Sequence, residues 1–258
     1  MNGINGVIRR RVGLAIGGMA ALIAMVFAGV TGASLAAKTP GPIQSGAGPG
    51  WPKTISPSDF VSQVDNPYFP LKPGSKYRYK GVKEGKHVVD HFKVTHKTKN
   101  ILGVNTTVVH DVLTTHGKPE EITNDWYAQD RHGNVWYFGE ATRTVDSHGN
   151  TISTDGSFKA GVNGARAGVF ISGHPKVGDT ARQEFYKGQA EDHFKVLDRK
   201  AHVSVPFVST NKALLTKEWT PLEPSVVDHK NYVRGIGEVR EIAVKGPVER
   251  LELVSFTR

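Results

Sequence analysis

Two carboxylates lie in matching surroundings: Asp90 in Asp90-His91-Phe92-Lys93-Val94 and Asp192 in Asp192-His193-Phe194-Lys195-Val196. Both blocks read as β-strands, in which residues two apart share a face. Asp90 therefore points the way of Phe92 and Val94, and Asp192 the way of Phe194 and Val196. With the apolar face as interior, each block buries one carboxylate, which must be paired, hydrogen-bonded or protonated. Two such groups facing one substrate would be a general acid and a general base, the equipment of a hydrolase or lyase. Glu140, Glu184 and His193 are candidate helpers. The competing role for the two aspartates is structural, each accepting hydrogen bonds from Tyr, Arg or backbone groups of a neighbouring strand.

A second constellation is aromatic. Trp126, Tyr127, Trp136 and Tyr137 lie among Glu120, Glu121, Asp125, Asp130 and Glu140. A flat ring beside a hydrogen-bonding edge suits sugars and other ring-bearing ligands, although cross-strand aromatic pairs also simply stabilise sheets. Arg182 and Tyr186 share a face with Glu184 and extend this candidate binding set, or form a solvated ladder. Eleven histidines raise the question of a metal. Asp and His are neighbours at 90–91, 110–111, 192–193 and 228–229, but adjacent strand residues face opposite ways and cannot chelate together. No HExxH spacing is present, so no metal site is expected. The chain has no cysteine, which removes thiolate sites, disulfides and a thiol nucleophile. It also has no G-x-S-x-G, P-loop or dinucleotide fingerprint, so no cofactor is expected.

The elements that would position these residues are strands. Tyr77–Tyr79, His87–Val94, Thr106–Leu113, Glu121–Ala128 and Val135–Phe138 are β-branched or aromatic and punctuated by Gly, Asn, Asp and Pro. Ser147-His148-Gly149-Asn150 reads as a hairpin turn. Gly156–Gly178 is glycine-studded and reads as a long connection with room for one short helix. Strands resume at Arg182–Tyr186, Asp192–Leu197, Ala213–Trp219, Val226–Val233, Glu238–Val244 and Arg250–Phe256. Tyr79-Lys80-Gly81 before the first Asp-His-Phe-Lys-Val block recurs as Tyr186-Lys187-Gly188 before the second, which points to a duplication. The predicted fold is mainly β. One large antiparallel sheet curls into a half-barrel or barrel within residues 56–258, built from duplicated meanders at about 66–155 and 172–258.

The ends carry address and charge. Arg9, Arg10 and Arg11 precede an uncharged apolar run from Val12 to Val30, closed by the small residues of Thr31–Ala37. That layout predicts a cleaved signal peptide over residues 1–36. Ala37–Ile55, rich in Pro, Gly and Ser, reads as a flexible linker. All 24 acidic residues lie beyond Ala36 and three of the 33 basic ones before it, leaving the mature chain at +6. This suits an anionic envelope polymer as a partner. No block of like charges resembles a nucleic-acid arm, and nucleic acid is not an expected partner.

Three stretches carry a resemblance. Asn66-Pro67-Tyr68-Phe69-Pro70-Leu71-Lys72-Pro73-Gly74, leading into Tyr77-Arg78-Tyr79, resembles the entry to many secreted bacterial domains, and Asp125–Asp130 through Asn134–Glu140 resembles a family of uncharacterised exported proteins. Asn231-Tyr232-Val233-Arg234-Gly235-Ile236-Gly237-Glu238-Val239 resembles the closing strands of β half-barrels of the periplasmic lipoprotein-carrier type. The resemblance implies a curled sheet holding something on its concave face, and it supplies no catalytic residues. The expected protein is a secreted or cell-wall-associated binding or carrier domain for a small apolar molecule or glycan. The alternative is a secreted hydrolase or lyase working through its interior aspartates.

Overall fold

The structure, a computed structural model, describes residues 41–258. The signal-peptide reading of residues 1–36 lies outside the described residues. Short strands β1 (Ile43–Gln44), β2 (Thr54–Ile55) and β3 (Phe60–Val61) lead into five long ones. These are β4 (Lys76–Lys83), β5 (Lys86–Ile101), β6 (Val104–Thr115), β7 (Lys118–Asp130) and β8 (Val135–Val145). Five short strands follow: β9 (Thr151–Ser153), β10 (Phe158–Lys159), β11 (Arg166–Ile171), β12 (Thr180–Arg182) and β13 (Glu184–Phe185). The chain ends with β14 (His193–Ser204), β15 (Ser209–Trp219), β16 (Val227–Val233), β17 (Gly237–Lys245) and β18 (Glu249–Thr257). Among the described residues the one helical element is a single 3-10 turn at Pro57–Asp59. The expected mainly β class is what the chain adopts.

Thirteen strands follow one antiparallel path, β12-β14-β15-β16-β17-β18-β4-β5-β6-β7-β8-β11-β13, curled into a barrel with one seam. Alternation does the sorting. In β5, Val88, Asp90 and Val94 are buried while His87, His91 and Lys93 are exposed. Strands β4 to β8 and β14 to β18 are each joined in sequence order by short turns, so neighbours in sequence are neighbours in the sheet. The interior has two halves. Toward the end that holds the turns at 66–75 and 234–236, Phe69 sits among Phe92, Tyr127 and Phe170 at centroid distances of 6.1, 5.2 and 4.5 Å. It plugs that end of the barrel with aromatic packing. Toward the other end the inner wall is acidic.

The two Asp-His-Phe-Lys-Val blocks occupy matching positions. Arg78 pairs with His91 in one and Arg182 with His193 in the other. Gly74 N–H donates to Val94 O at 2.9 Å, and Gly178 N–H donates to Val196 O at 2.9 Å. Both glycines hold a positive φ, +93° and +96°, where a side chain would be strained. This register equates Gly74 with Gly178 and Arg78 with Arg182. The two Tyr-Lys-Gly stretches are not equivalent in this register: Tyr79 lies opposite Asp90 on a ladder while Tyr186 bridges Ala190 within a tight turn.

Two regions depart from the sequence reading. Gly156–Gly178 contains no helix; it supplies β10 and β11, and β11 is an inner member of the sheet. Its glycine content reflects close approach, since a Cβ on Gly168 would lie 2.4 Å from Arg182 O. The described part of the expected linker is likewise seated. β1 and β2 pair as a hairpin, and its chain runs into the seam. Gly46 N–H donates to Ala167 O of β11 at 2.7 Å, Arg182 N–H of β12 donates to Ala47 O at 2.9 Å, and Trp51 Nε1 donates to Thr180 O at 2.9 Å. Among the described residues, 43–55 form a strap across the seam of the barrel path. Low apolar periodicity hides this, because the strap is held by backbone groups.

Gly46 has no room for a side chain: a Cβ there would stand 2.7 Å from Phe185 Cβ and 3.2 Å from Ala167 O. Gly46→Val is expected to unseat the strap and cost about 1–3 kcal/mol by overpacking. Urea unfolding should show the loss, and amide hydrogen exchange should rise at Arg182. Unchanged exchange at Arg182 would mean that the strap does not close the seam.

Candidate functional site

Beyond the aromatic plug, the inner wall carries a belt of carboxylates. Asp125 on β7 and Glu140 on β8 are directly paired across the ladder, and Tyr137 donates its hydroxyl to Asp125 Oδ1 at 2.7 Å. Burial pushes Tyr137 well above the usual phenol range, and the Asp125 and Glu140 charges add to the shift. Glu184 is fully buried at the seam. Burial holds its carboxyl well above the ordinary glutamate value, with Asp192 and then Asp125 raising it further. Neither of its carboxyl oxygens has a hydrogen-bond partner.

Further round the wall, register places Thr216, Lys230 and Glu241 in one row across β15, β16 and β17. Lys230 Nζ lies 3.4 Å from Glu218, 3.7 Å from Glu238 and 3.6 Å from Glu241. The Tyr232 and Thr216 hydroxyls each donate to Glu218 Oε1 at 3.0 Å. Asp228, beside Glu218 in the ladder, is pushed up to about 8, first by burial and then by Glu241. One buried ammonium thus holds together a wall of like charge.

The structure places the candidate catalytic residues as follows. Asp90 and Asp192 are both buried on the inner face, as alternation predicts. Their strands, β5 and β14, are six steps apart along the sheet. Asp192 instead interacts with Glu184. Glu140 belongs to the Asp125–Tyr137 group. His193 lies on the other face of β14, stacked on Trp219 with centroids 5.3 Å apart. Burial and then Arg182 lower its pKa below the usual histidine value.

The candidate binding rings are closed. Trp126, Tyr127, Trp136 and Tyr137 are each 5% exposed or less. Tyr127 and Tyr137 stack inside the barrel, 4.8 Å apart. Trp136 donates from Nε1 to Asp130 Oδ2 at 2.8 Å and lies against Phe60 of β3, and Lys99 Nζ caps Trp126 3.6 Å from its ring centre. None of the four presents an open face. Arg182 stacks over Phe185 at 4.5 Å, and Tyr186 is half-buried in its turn.

Two clefts lie at the plugged end of the barrel, on residues that spacing in sequence does not single out. A cleft of about 490 Å³ is lined by Val64, Leu71, Pro73, Tyr77 and Phe256, with Lys72 and Arg258 among its polar members. Beside it, sharing Asp65 and Pro67, is a cleft of about 470 Å³ lined by Arg131, His132, His174, Lys176, Arg199 and Arg234. Asp90, Asp192, Glu140, Glu184 and His193 line neither. The framework around both is the plugging segment. The buried Asn66 side chain donates to Gly133 O at 2.7 Å and Ser172 O at 3.2 Å, and accepts from Tyr68 N–H at 2.8 Å. One side chain thereby ties three turns together.

The 130–134 turn repeats a design used again at the other end of β8. In Asp130-Arg131-His132-Gly133-Asn134 the aspartate Oδ1 accepts from the backbone N–H groups of His132 and Asn134. In Asp146-Ser147-His148-Gly149-Asn150, Asp146 Oδ1 accepts from those of His148 and Asn150. The Asp-x-His-Gly-Asn spacing is visible in the sequence and marks both hairpins. Its first copy sets Arg131 and His132 at the mouth of the basic cleft.

Among the described residues no group of three or more His, Asp or Glu side chains is arranged to hold a metal ion. No protein-family model and no curated protein matches the chain. Two crystal structures are similar to it. One is an exported-protein candidate with a YmcC-like fold from Bacteroides fragilis NCTC 9343, 14% identical, at a TM-score of 0.43 over 74% of this chain and 99% of that one. The other is a lipoprotein candidate from Parabacteroides distasonis ATCC 8503, 12% identical, at a TM-score of 0.38 over 76% of this chain and 100% of that one.

Proposed function

We propose that the chain is an exported ligand-binding or carrier domain whose ligand, a small apolar molecule, seats at the plugged end of the barrel. The observation that carries this reading is the cleft of about 490 Å³ walled by Val64, Leu71, Pro73, Tyr77 and Phe256. Its size is that of a small-molecule pocket, and its walls combine apolar rings and branched side chains with a few polar groups. Export rests on the arginine-led apolar N-terminus. The matched pairing of the two Asp-His-Phe-Lys-Val strands supports a duplicated meander as the origin of the frame.

The supporting measurement is calorimetric titration with decanol. Binding in the micromolar range is expected, weakened about tenfold or more by Phe256→Ser, which removes one wall of the cleft. No heat with decanol, or equal affinity in both proteins, would reject this site.

A second reading keeps the carboxylates, with Glu184 and its neighbour Asp192 in place of the Asp90–Asp192 pair. The raising of the buried Glu184 carboxyl, to which Asp192 adds, favours it. The binding reading is preferred because Glu184 is 0% and Asp192 7% exposed, so neither carboxylate is presented to a substrate.

A further inference from the structure

We infer that the basic cleft is an anion subsite, and that the ligand of this domain is an amphiphile carrying a phosphate-type head group. The inference rests on the reading of the neighbouring apolar cleft as the seat of the ligand body.

The charge inside the cleft is one-sided. Arg131, Lys176, Arg199 and Arg234 are fixed cations, and Asp65 is the one carboxylate of the lining. Asp65 is already engaged, its Oδ1 accepting from Gln129 Nε2 at 2.6 Å. Among the described residues none of the four cations makes an ion pair with a carboxylate. This contrasts with the acidic inner wall, where Lys230 alone meets three.

Two of the cations are held in place by contacts that leave their charge uncompensated. Arg131 donates from Nε and Nη2 to the Ser58 carbonyl, at 3.1 and 2.8 Å. Arg234 lies over the Tyr68 ring at 5.0 Å and donates to its hydroxyl at 3.3 Å. A carbonyl and a phenol orient a guanidinium without neutralising it. The turn that carries Arg131 is fastened through Asn66, and Gly235 N–H next to Arg234 donates to Pro67 O at 2.7 Å, so ordering costs are already met before an anion arrives. Arginine forks match phosphate oxygens two at a time, and charge-assisted bonds of this kind exceed neutral ones in strength.

Geometry links the two clefts. They share Asp65 and Pro67, so one molecule can lay an apolar chain against Leu71 and Phe256 and place its head among the arginines. A neutral apolar ligand would leave the second cleft without a role. A free phosphate would leave the first without one.

The test compares decanol, decyl phosphate and inorganic phosphate on the mature chain by calorimetry, with Arg131→Gln/Arg234→Gln as the variant. Both arginines are exposed and neither lines the apolar cleft, so a thermal melt should confirm that the variant remains folded. Decyl phosphate is expected to bind about tenfold or more tighter than decanol at low salt. That advantage should shrink in about 0.5 M NaCl, where exposed charges are screened. The variant should lose the advantage while binding decanol as before. Equal affinity for decanol and decyl phosphate overturns the anion subsite and leaves the apolar site standing. Inorganic phosphate binding that the variant loses, with no binding of either decyl compound, keeps the anion site but overturns the amphiphile. No binding of any of the three overturns both.

Discussion

Replacing Lys230 by methionine is expected to destabilise the fold by about 3–5 kcal/mol at neutral pH, the usual cost of removing one member of a buried ionic cluster. The Lys230 side chain is 4% exposed and stands within 4 Å of Glu218, Glu238 and Glu241. Methionine fills much of the same volume, so the loss would be electrostatic rather than a cavity. What remains are carboxylates facing one another across a dry wall, with Asp228 beside them. Urea unfolding at pH 7 gives the measurement. Adding Glu218→Gln and Glu241→Gln to the methionine variant should recover part of the loss, because two of the uncompensated charges are then gone. A methionine variant within about 1 kcal/mol of the parent would mean that water already solvates this wall.

Much of that wall is legible before folding, and its arrangement is not. Period-two alternation puts Asp90 and Asp192 on the inner face, since Phe92, Val94, Phe194 and Val196 go with them. Alternation says nothing about azimuth, and it is the sheet order that sets the two aspartate strands six steps apart. Glu184 meets Asp192 because the chain crosses the seam at Gln183, whose N–H still pairs with Asp192 O while its Nε2 donates to Phe170 O. No local pattern announces such a crossing. The aromatic run 126–138 is equally ambiguous in sequence. The same rings would serve a ligand platform or a core, and Phe60 and Phe69, both distant in sequence, decide for the core. The basic cleft draws Arg131, His174, Lys176 and Arg234 from three separate turns and Arg199 from β14, so spacing carries no trace of it. The strap fails to register for a different reason: backbone hydrogen bonds and a missing Cβ hold it, and neither has a hydrophobic signature.

Raising the pH from 5 to 9 is expected to weaken this protein, against the more common pattern in which carboxylates are stabilised by ionisation on folding. Asp228 is raised from 3.8 to about 8, mostly by burial, with Glu241, Glu249 and Glu218 adding to the shift and Lys230 opposing it. Glu184 is raised in the same direction by burial, Asp192 and Asp125. Between the unfolded and folded values the native state holds protons that the unfolded chain has released. Unfolding therefore releases protons, and stability falls as pH rises. The stabilisation is fully present below about pH 4 and is lost as pH climbs through about 8. Each such group contributes a slope of about 1.4 kcal/mol per pH unit within its window, so Asp228 alone would cost up to about 4 kcal/mol between pH 5 and 8. Urea midpoints at pH 5, 7 and 9 measure the trend. Asp228→Asn should flatten it and leave the variant more stable than the parent at pH 9. An amide is uncharged at every pH, and Asp228 Oδ1 has no hydrogen bond to lose. A parent whose midpoint rises from pH 5 to 9 would show that Asp228 and Glu184 are ionised in the native barrel.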